Sequence, residues 1–186
     1  MIKNFTLLFS IFSIFLLSAC SRADKYTQFY LDYNTEMEIP PIGLFGLPLI
    51  EVGDLISMPT QTNTAATFSS NNTRTDLIES IQIENITLSF LAPQNADFDF
   101  LESIEVFISS DSLSELKIAE RHDIPLGLTV LSLEINEDID KDALLEYIKA
   151  ESYTLRTNST FRRETRETRR MNIATRFFID AKLFNF

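Results

Sequence analysis

The 186-residue chain has no tryptophan, four glycines, six prolines, one histidine and one cysteine, and each scarcity closes off a class of chemistry. The single cysteine, Cys20, cannot form an internal disulfide. Any imidazole-dependent acid-base or nucleophilic mechanism must run through His122, which stands beside Asp123 and shortly before Pro125, as a lone surface histidine at a strand end would. No serine sits in a G-x-S-x-G elbow, and four glycines leave no glycine-rich phosphate loop. Positive charge is also short: 16 Lys and Arg face 27 Asp and Glu, for a net charge of −11. Nucleic acids and anionic lipid surfaces are attracted by Lys and Arg, so neither is an expected partner. After the first twenty residues no apolar run reaches 18, so no transmembrane helix is expected there.

What is present begins at the N-terminus. Lys3 precedes residues 5–17, which are apolar apart from Thr6, Ser10 and Ser13. As a helix this run covers about 20 Å against a hydrocarbon core of ~30 Å, which suits the core of a signal peptide better than a permanent span. Leu17-Ser18-Ala19-Cys20 follows at once: a leucine, two small residues and the only cysteine. This order resembles the bacterial lipobox, and over these twenty residues the chain is similar to bacterial lipoproteins. The resemblance implies cleavage before Cys20, a diacylglyceryl thioether on its sulfur and an acyl chain on its new amino group, so that the partner is a membrane reached through lipid. Ser21, in place of the Asp that favours inner-membrane retention, implies the outer membrane and leaves periplasmic and surface faces open. The competing readings are an ordinary secretory signal ending at Ala19, with Cys20 incidental, and an uncleaved N-terminal helix. Cleavage removes one charge, Lys3, and takes the net charge from −11 to −12. The expected organisation is a signal peptide at 1–19, the lipidated cysteine and a short linker at 20–25, and one domain at 26–186.

Within that domain the dominant period is two. Phe29, Leu31 and Tyr33 alternate with Gln28, Tyr30, Asp32 and Asn34 until Pro40-Pro41 stops the strand. Residues 40–74 are punctuated by Gly43, Gly46, Pro48, Gly53 and Pro59 and read as loop-rich, with edge strands near 55–58 and 65–68. Ile81 and Ile83 share one parity while Ile86, Leu88 and Phe90 share the other, which predicts a bulge or joint at Glu84-Asn85. Further alternation marks Ile104, Val106 and Ile108, then Leu116 and Ile118, then Leu131, Leu133 and Ile135. Leu144, Tyr147 and Ile148 form one helical stripe that Asp138 or Asp140 can cap. The last strands, 153–161 and 171–184, are expected to form a hairpin. The fold class is mainly β: an antiparallel β-sandwich, immunoglobulin-like or similar, of about seven to nine strands with one short helix. The stretches Phe98-Asp99-Phe100-Leu101-Glu102-Ser103-Ile104-Glu105-Val106-Phe107-Ile108-Ser109 and Leu145-Glu146-Tyr147-Ile148-Lys149 resemble segments of uncharacterised secreted or lipid-anchored bacterial proteins, over roughly residues 75–184, and bring no function with them.

Three groups of residues are chemical candidates. Asp138, Asp140 and Asp142 have the D-x-D-x-D spacing of a calcium loop, which makes calcium the one cofactor the sequence raises. Ala143 and Lys149 occupy the positions where such a loop needs glycine and glutamate, and capping of a helix start accounts for the acids more simply. Asp97 and Asp99 flank Phe98 and read as a polar turn before they read as ligands. Arg162, Arg163, Arg166, Arg169 and Arg170, with Glu164 and Glu167, put +3 into nine residues of an acidic chain. At a hairpin tip they could clamp an anionic group or a partner; the plainer reading is a solvated tip whose charges pair across the strands.

The functional expectation is a lipid-anchored cell-envelope protein, a non-catalytic binding or structural module for an envelope protein or glycan. The alternatives are an envelope hydrolase using carboxylates or a metal, and a carrier of an apolar ligand.

Overall fold

A computed structural model of the chain describes residues 27–61, 64–70, 73–150 and 152–182. The lipobox, Cys20 and the linker lie outside the described residues, as does the expected end of the last strand at Phe184. The described residues form nine strands in two antiparallel sheets: β1 (Gln28–Ile39), β2 (Ile50–Gln61), β3 (Ile78–Ala92), β4 (Leu101–Ser110), β5 (Leu113–Arg121), β6 (Val130–Ser132), β7 (Glu134–Ile135), β8 (Ser152–Phe161) and β9 (Arg169–Ala181). Two α-helices, α1 (Thr64–Ser70) and α2 (Lys141–Lys149), and one 3-10 turn at Thr75–Leu77 join them among the described residues.

Alternation explains why these segments are strands. In β8, Tyr153, Leu155, Thr157, Ser159 and Phe161 are buried while the residues between them are half-exposed; β9 repeats the pattern from Met171 to Ala181. Burying these two inward faces against each other removes most of their apolar surface from water, and each large side chain so buried stabilises by about 1.5–3 kcal/mol. The phase slip expected at Glu84-Asn85 is present as a register shift of β3 against β9 between Ile83 and Asn85. The segment near 65–68, read from sequence as an edge strand, is instead α1. Ala65 and Ala66 favour helix over strand, and Phe68, fully buried, anchors the helix by an edge-on contact with Phe29 at 6.3 Å.

The sheet orders are β1-β9-β3-β6 and β2-β8-β4-β5-β7. If β6 and β7 count as one strand broken at Leu133, the pairs β1 with β9, β2 with β8, β3 with β6 and β4 with β5 are nested. They are the rungs of one long hairpin. Rolling that hairpin over creates the contacts of β9 with β3 and of β8 with β4, and beyond the break at Leu133 β7 crosses to the second sheet and pairs with β5. This nested pairing defines a jelly roll among the two-sheet sandwiches. It also overturns the expected terminal hairpin: β8 and β9 lie in different sheets, because each already has a partner on both sides. Residues 162–168 therefore cross between the sheets rather than turn within one.

The roll sorts the connections to two ends. Gln28, at the start of β1, pairs with Asp180 near the end of β9, so the described chain enters and leaves at one end. At the other end meet the loops 40–49, 93–100, 122–129 and 162–168. The twelve residues of β1 separate the two ends by about 40 Å.

Candidate functional site at the loop end

The four loops are cross-linked by backbone hydrogen bonds. The Ile42 and Thr165 amides donate to each other's carbonyls at 3.0 and 2.9 Å, Phe98 N donates to Leu128 O at 2.9 Å, and Arg162 N donates to Phe100 O at 2.9 Å. Left-handed backbone concentrates here too: Phe45 (φ 51°), Gly46 (φ 83°), Asn95 (φ 65°), Asp123 (φ 49°) and Gly127 (φ 79°) all belong to these loops. In the turn closed by Leu47 N to Leu44 O at 2.9 Å, both central residues, Phe45 and Gly46, are left-handed. Glycine takes that conformation freely; a phenylalanine there costs on the order of 1 kcal/mol. The Phe45 ring on this turn is 91% exposed.

Phe45 is not alone. Of the seven large apolar side chains exposed among the described residues, Phe45, Leu47, Leu49, Leu91, Leu126 and Val130 lie in these loops or on the strand ends beside them; only Tyr30 lies towards the other end. Single exposed apolar residues are ordinary, but six gathered at one end make that end the candidate contact surface.

The arginine run borders this surface, and each of its five guanidiniums is engaged. Arg162 donates to the carbonyls of Leu101 and Ile124 and pairs with Glu102 at 3.0 Å. Arg163 pairs with Asp99 at 3.1 Å, Arg166 with Glu164 at 2.9 Å, and Arg170 with Glu36 at 2.7 Å. Arg169 donates to the Asp97 carbonyl at 2.9 Å and lies 4.6 Å over the Phe100 ring. The ion pairs to Asp99, Glu102 and Glu36 reach outside the run, because the segment is a crossover and no hairpin partner faces it. Arg166, 88% exposed and held by a near neighbour, is the arginine most open to another molecule. A surface depression of about 720 Å³ lies between Arg163, Thr165, Arg166 and Arg169.

Asp140 is the N-cap of α2: its Oδ1 accepts from the amides of Asp142 and Ala143 at 3.0 and 3.3 Å. Asp97 and Asp99 serve the loops, with Asp97 Oδ1 accepting from Asp99 N and Asp99 Oδ1 from Gly127 N. A second, open groove of about 620 Å³ between β3, β7 and α2 has Ile81, Ile83, Ile135 and Leu144 in its wall. The exposed Glu84, Glu134 and Glu137 also line it, so it is not the enclosed apolar pocket that a lipid carrier requires.

One constellation has no counterpart in the sequence reading. Glu105, Glu120 and His122 bring one ligand atom each within 4.8 Å of one another on the outer face of the second sheet. The signal for it is Glu120-Arg121-His122, two ligand types two apart at the end of β5; the third member needs the β4–β5 register, which no local pattern reveals.

No protein-family model and no curated protein sequence matches the chain. Among solved structures it is similar to that of Desmodium yellow mottle tymovirus, at 11% identity and a TM-score of 0.31, over 86% of this chain and 91% of that one. It is similar also to that of Cocksfoot mottle virus, at 7% identity and a TM-score of 0.24, over 83% and 85% of the two chains. The jelly-roll assignment rests on the nested strand pairing and not on these scores.

Proposed function

We propose that the protein is a lipid-anchored, non-catalytic binding module of the bacterial envelope, which offers its loop end to an envelope protein. The observation that carries this reading is the gathering of exposed apolar side chains at the end opposite the start of β1. A tether at Cys20 joins the fold at that start through about six residues, which extend to about 20 Å. The loop end, a further ~40 Å along the strands, then faces away from the anchoring bilayer. Several acyl chains hold where a single one gives marginal binding, so the loops are free for a different contact. Leucine and valine side chains give sugar hydroxyls nothing to hydrogen-bond, and an exposed phenylalanine and an exposed arginine on two loops joined at Ile42 and Thr165 match the composition of protein-protein contacts.

The test is a photo-crosslinking amino acid placed at Leu47 or Leu126, with Tyr30 as control, in cells that express the full chain. A discrete adduct from the first two positions that Tyr30 does not give, and that Phe45→Asp or Arg166→Glu abolishes, supports the reading. The same adduct from Tyr30, or one indifferent to Phe45→Asp, removes it. Cys20→Ser tests the anchor separately: the protein should leave the membrane fraction.

A further inference from the structure

We infer that Glu105, Glu120 and His122 form a binding site for a divalent transition-metal ion of the zinc class, which competes with the Lys117 ammonium for the two carboxylates. This inference is independent of the partner proposed for the loop end. The site is built by a bulge. Val106 pairs with Ala119 and Phe107 with Lys117, so Ile118 is the extra residue in β5. Ile118 and Ala119 both turn into the core. Lys117 and Glu120, three apart and otherwise destined for opposite faces, come to the outer face together, with His122 two residues further on. Bulges commonly re-aim side chains in this way beside sites.

The register then stacks acids. Glu105 pairs with Glu120, and Glu120 with Glu134, so three glutamates occupy one row across β4, β5 and β7. Like charges directly opposite are destabilising without a cation between them. Lys117 Nζ supplies one, 2.7 Å from Glu120 Oε2 and 3.3 Å from Glu105 Oε1. Arg121 neutralises Glu134 at 2.5 Å. Glu105, Glu120 and Lys117 together retain one unit of negative charge.

The donor set decides the metal. Calcium and magnesium are bound by oxygen alone, whereas an imidazole nitrogen with two carboxylates suits zinc and its neighbours. Bonds of about 2.0–2.1 Å in a tetrahedron put ligand atoms about 3.3 Å apart. His122 Nε2 and Glu120 Oε2 are already 3.1 Å apart, and Glu105 closes the triangle after a small rotation. Asn158 Nδ2 donates to Glu105 Oε2 at 3.2 Å and steadies that carboxylate, as neighbours of metal ligands do. Water completes the fourth position, since His122 is more than half exposed. On metal entry Lys117, on its flexible stem, swings to solvent.

Calorimetric titration of the untagged full chain in detergent with zinc chloride tests this. The expected result is one zinc per chain, bound in the micromolar range and not displaced by calcium. His122→Ala and Glu120→Gln should weaken binding about tenfold or more. Lys117→Met should tighten it severalfold, a gain that misfolding cannot mimic. Absence of one-to-one binding, binding unchanged by His122→Ala, or weaker binding in Lys117→Met would overturn the inference.

Discussion

The Arg169 guanidinium lies over the face of the Phe100 ring, 4.6 Å from its centroid, and donates to the Asp97 carbonyl at 2.9 Å. One arginine thus ties the start of β9 to the loop that leads into β4. Arg162 does the same at the end of β8 through the Leu101 and Ile124 carbonyls. These two arginines hold the loop end in shape; Arg166 does not. Arg162→Ala and Arg169→Ala should each destabilise by about 1–3 kcal/mol, since each leaves carbonyls unpartnered or a ring unstacked. Arg166→Ala should stay within about 0.5 kcal/mol of the wild type. Chemical denaturation of the three variants checks the order, and equal losses would show that the run acts as one charge cluster.

In the centre of β8, Thr157 is fully buried and its hydroxyl has no hydrogen-bond partner among the described residues. A buried hydroxyl without a partner costs more than it returns, and valine has nearly the same shape. Thr157→Val should therefore stabilise by about 1 kcal/mol, which in a chain of this size raises Tm by about 2–4 °C. A fall in Tm on calorimetry would mean that the hydroxyl is satisfied after all.

Much of this fold was legible because burial on one face writes itself into sequence with period two. The positions of β8 and β9, and the slip at Glu84-Asn85, follow from parity alone. Pairing does not: nothing local in β8 or β9 says whether they join each other or two different sheets, so adjacency suggested a hairpin where a crossover exists. Residues 65–68 failed for another reason, as a four-residue run with one Phe is compatible with helix or strand until Phe29 is placed beside it. The candidate sites divide the same way. The arginines stood out by charge contrast, while the exposure of Phe45 and the meeting of Glu105 with His122 depend on turns and register that only the assembled sheets create.

Asp140 bears on calcium. Because its carboxylate already accepts from two amides of the first turn of α2, Asp140→Ala should cost about 1 kcal/mol whether or not calcium is present. Thermal melts of both proteins with and without millimolar calcium test this. A wild-type Tm that rises with calcium, and an Asp140→Ala Tm that does not, would favour the calcium-loop reading over simple capping.

Acid should weaken the outer faces of both sheets in a defined window. Arg176 hydrogen-bonds to Asp32 across the β1–β9 pair and holds its carboxyl below the ordinary 3.8; Arg156 does the same for Glu115, below 4.5. A carboxylate with a depressed folded-state pKa contributes its full stabilisation above the unfolded value and loses it as pH falls through the folded value. The loss therefore begins near pH 4 and continues below it, and both pairs are exposed enough for salt to shrink the effect. The double variant Asp32→Asn, Glu115→Gln should be less stable than the wild type at pH 7, and the gap should narrow as pH drops from 5 to 2. Urea midpoints across that range measure it. A gap that stays constant, or that widens on acidification, would show that Arg156 and Arg176 stabilise through packing on Phe107 and Tyr30 and not through these carboxylates.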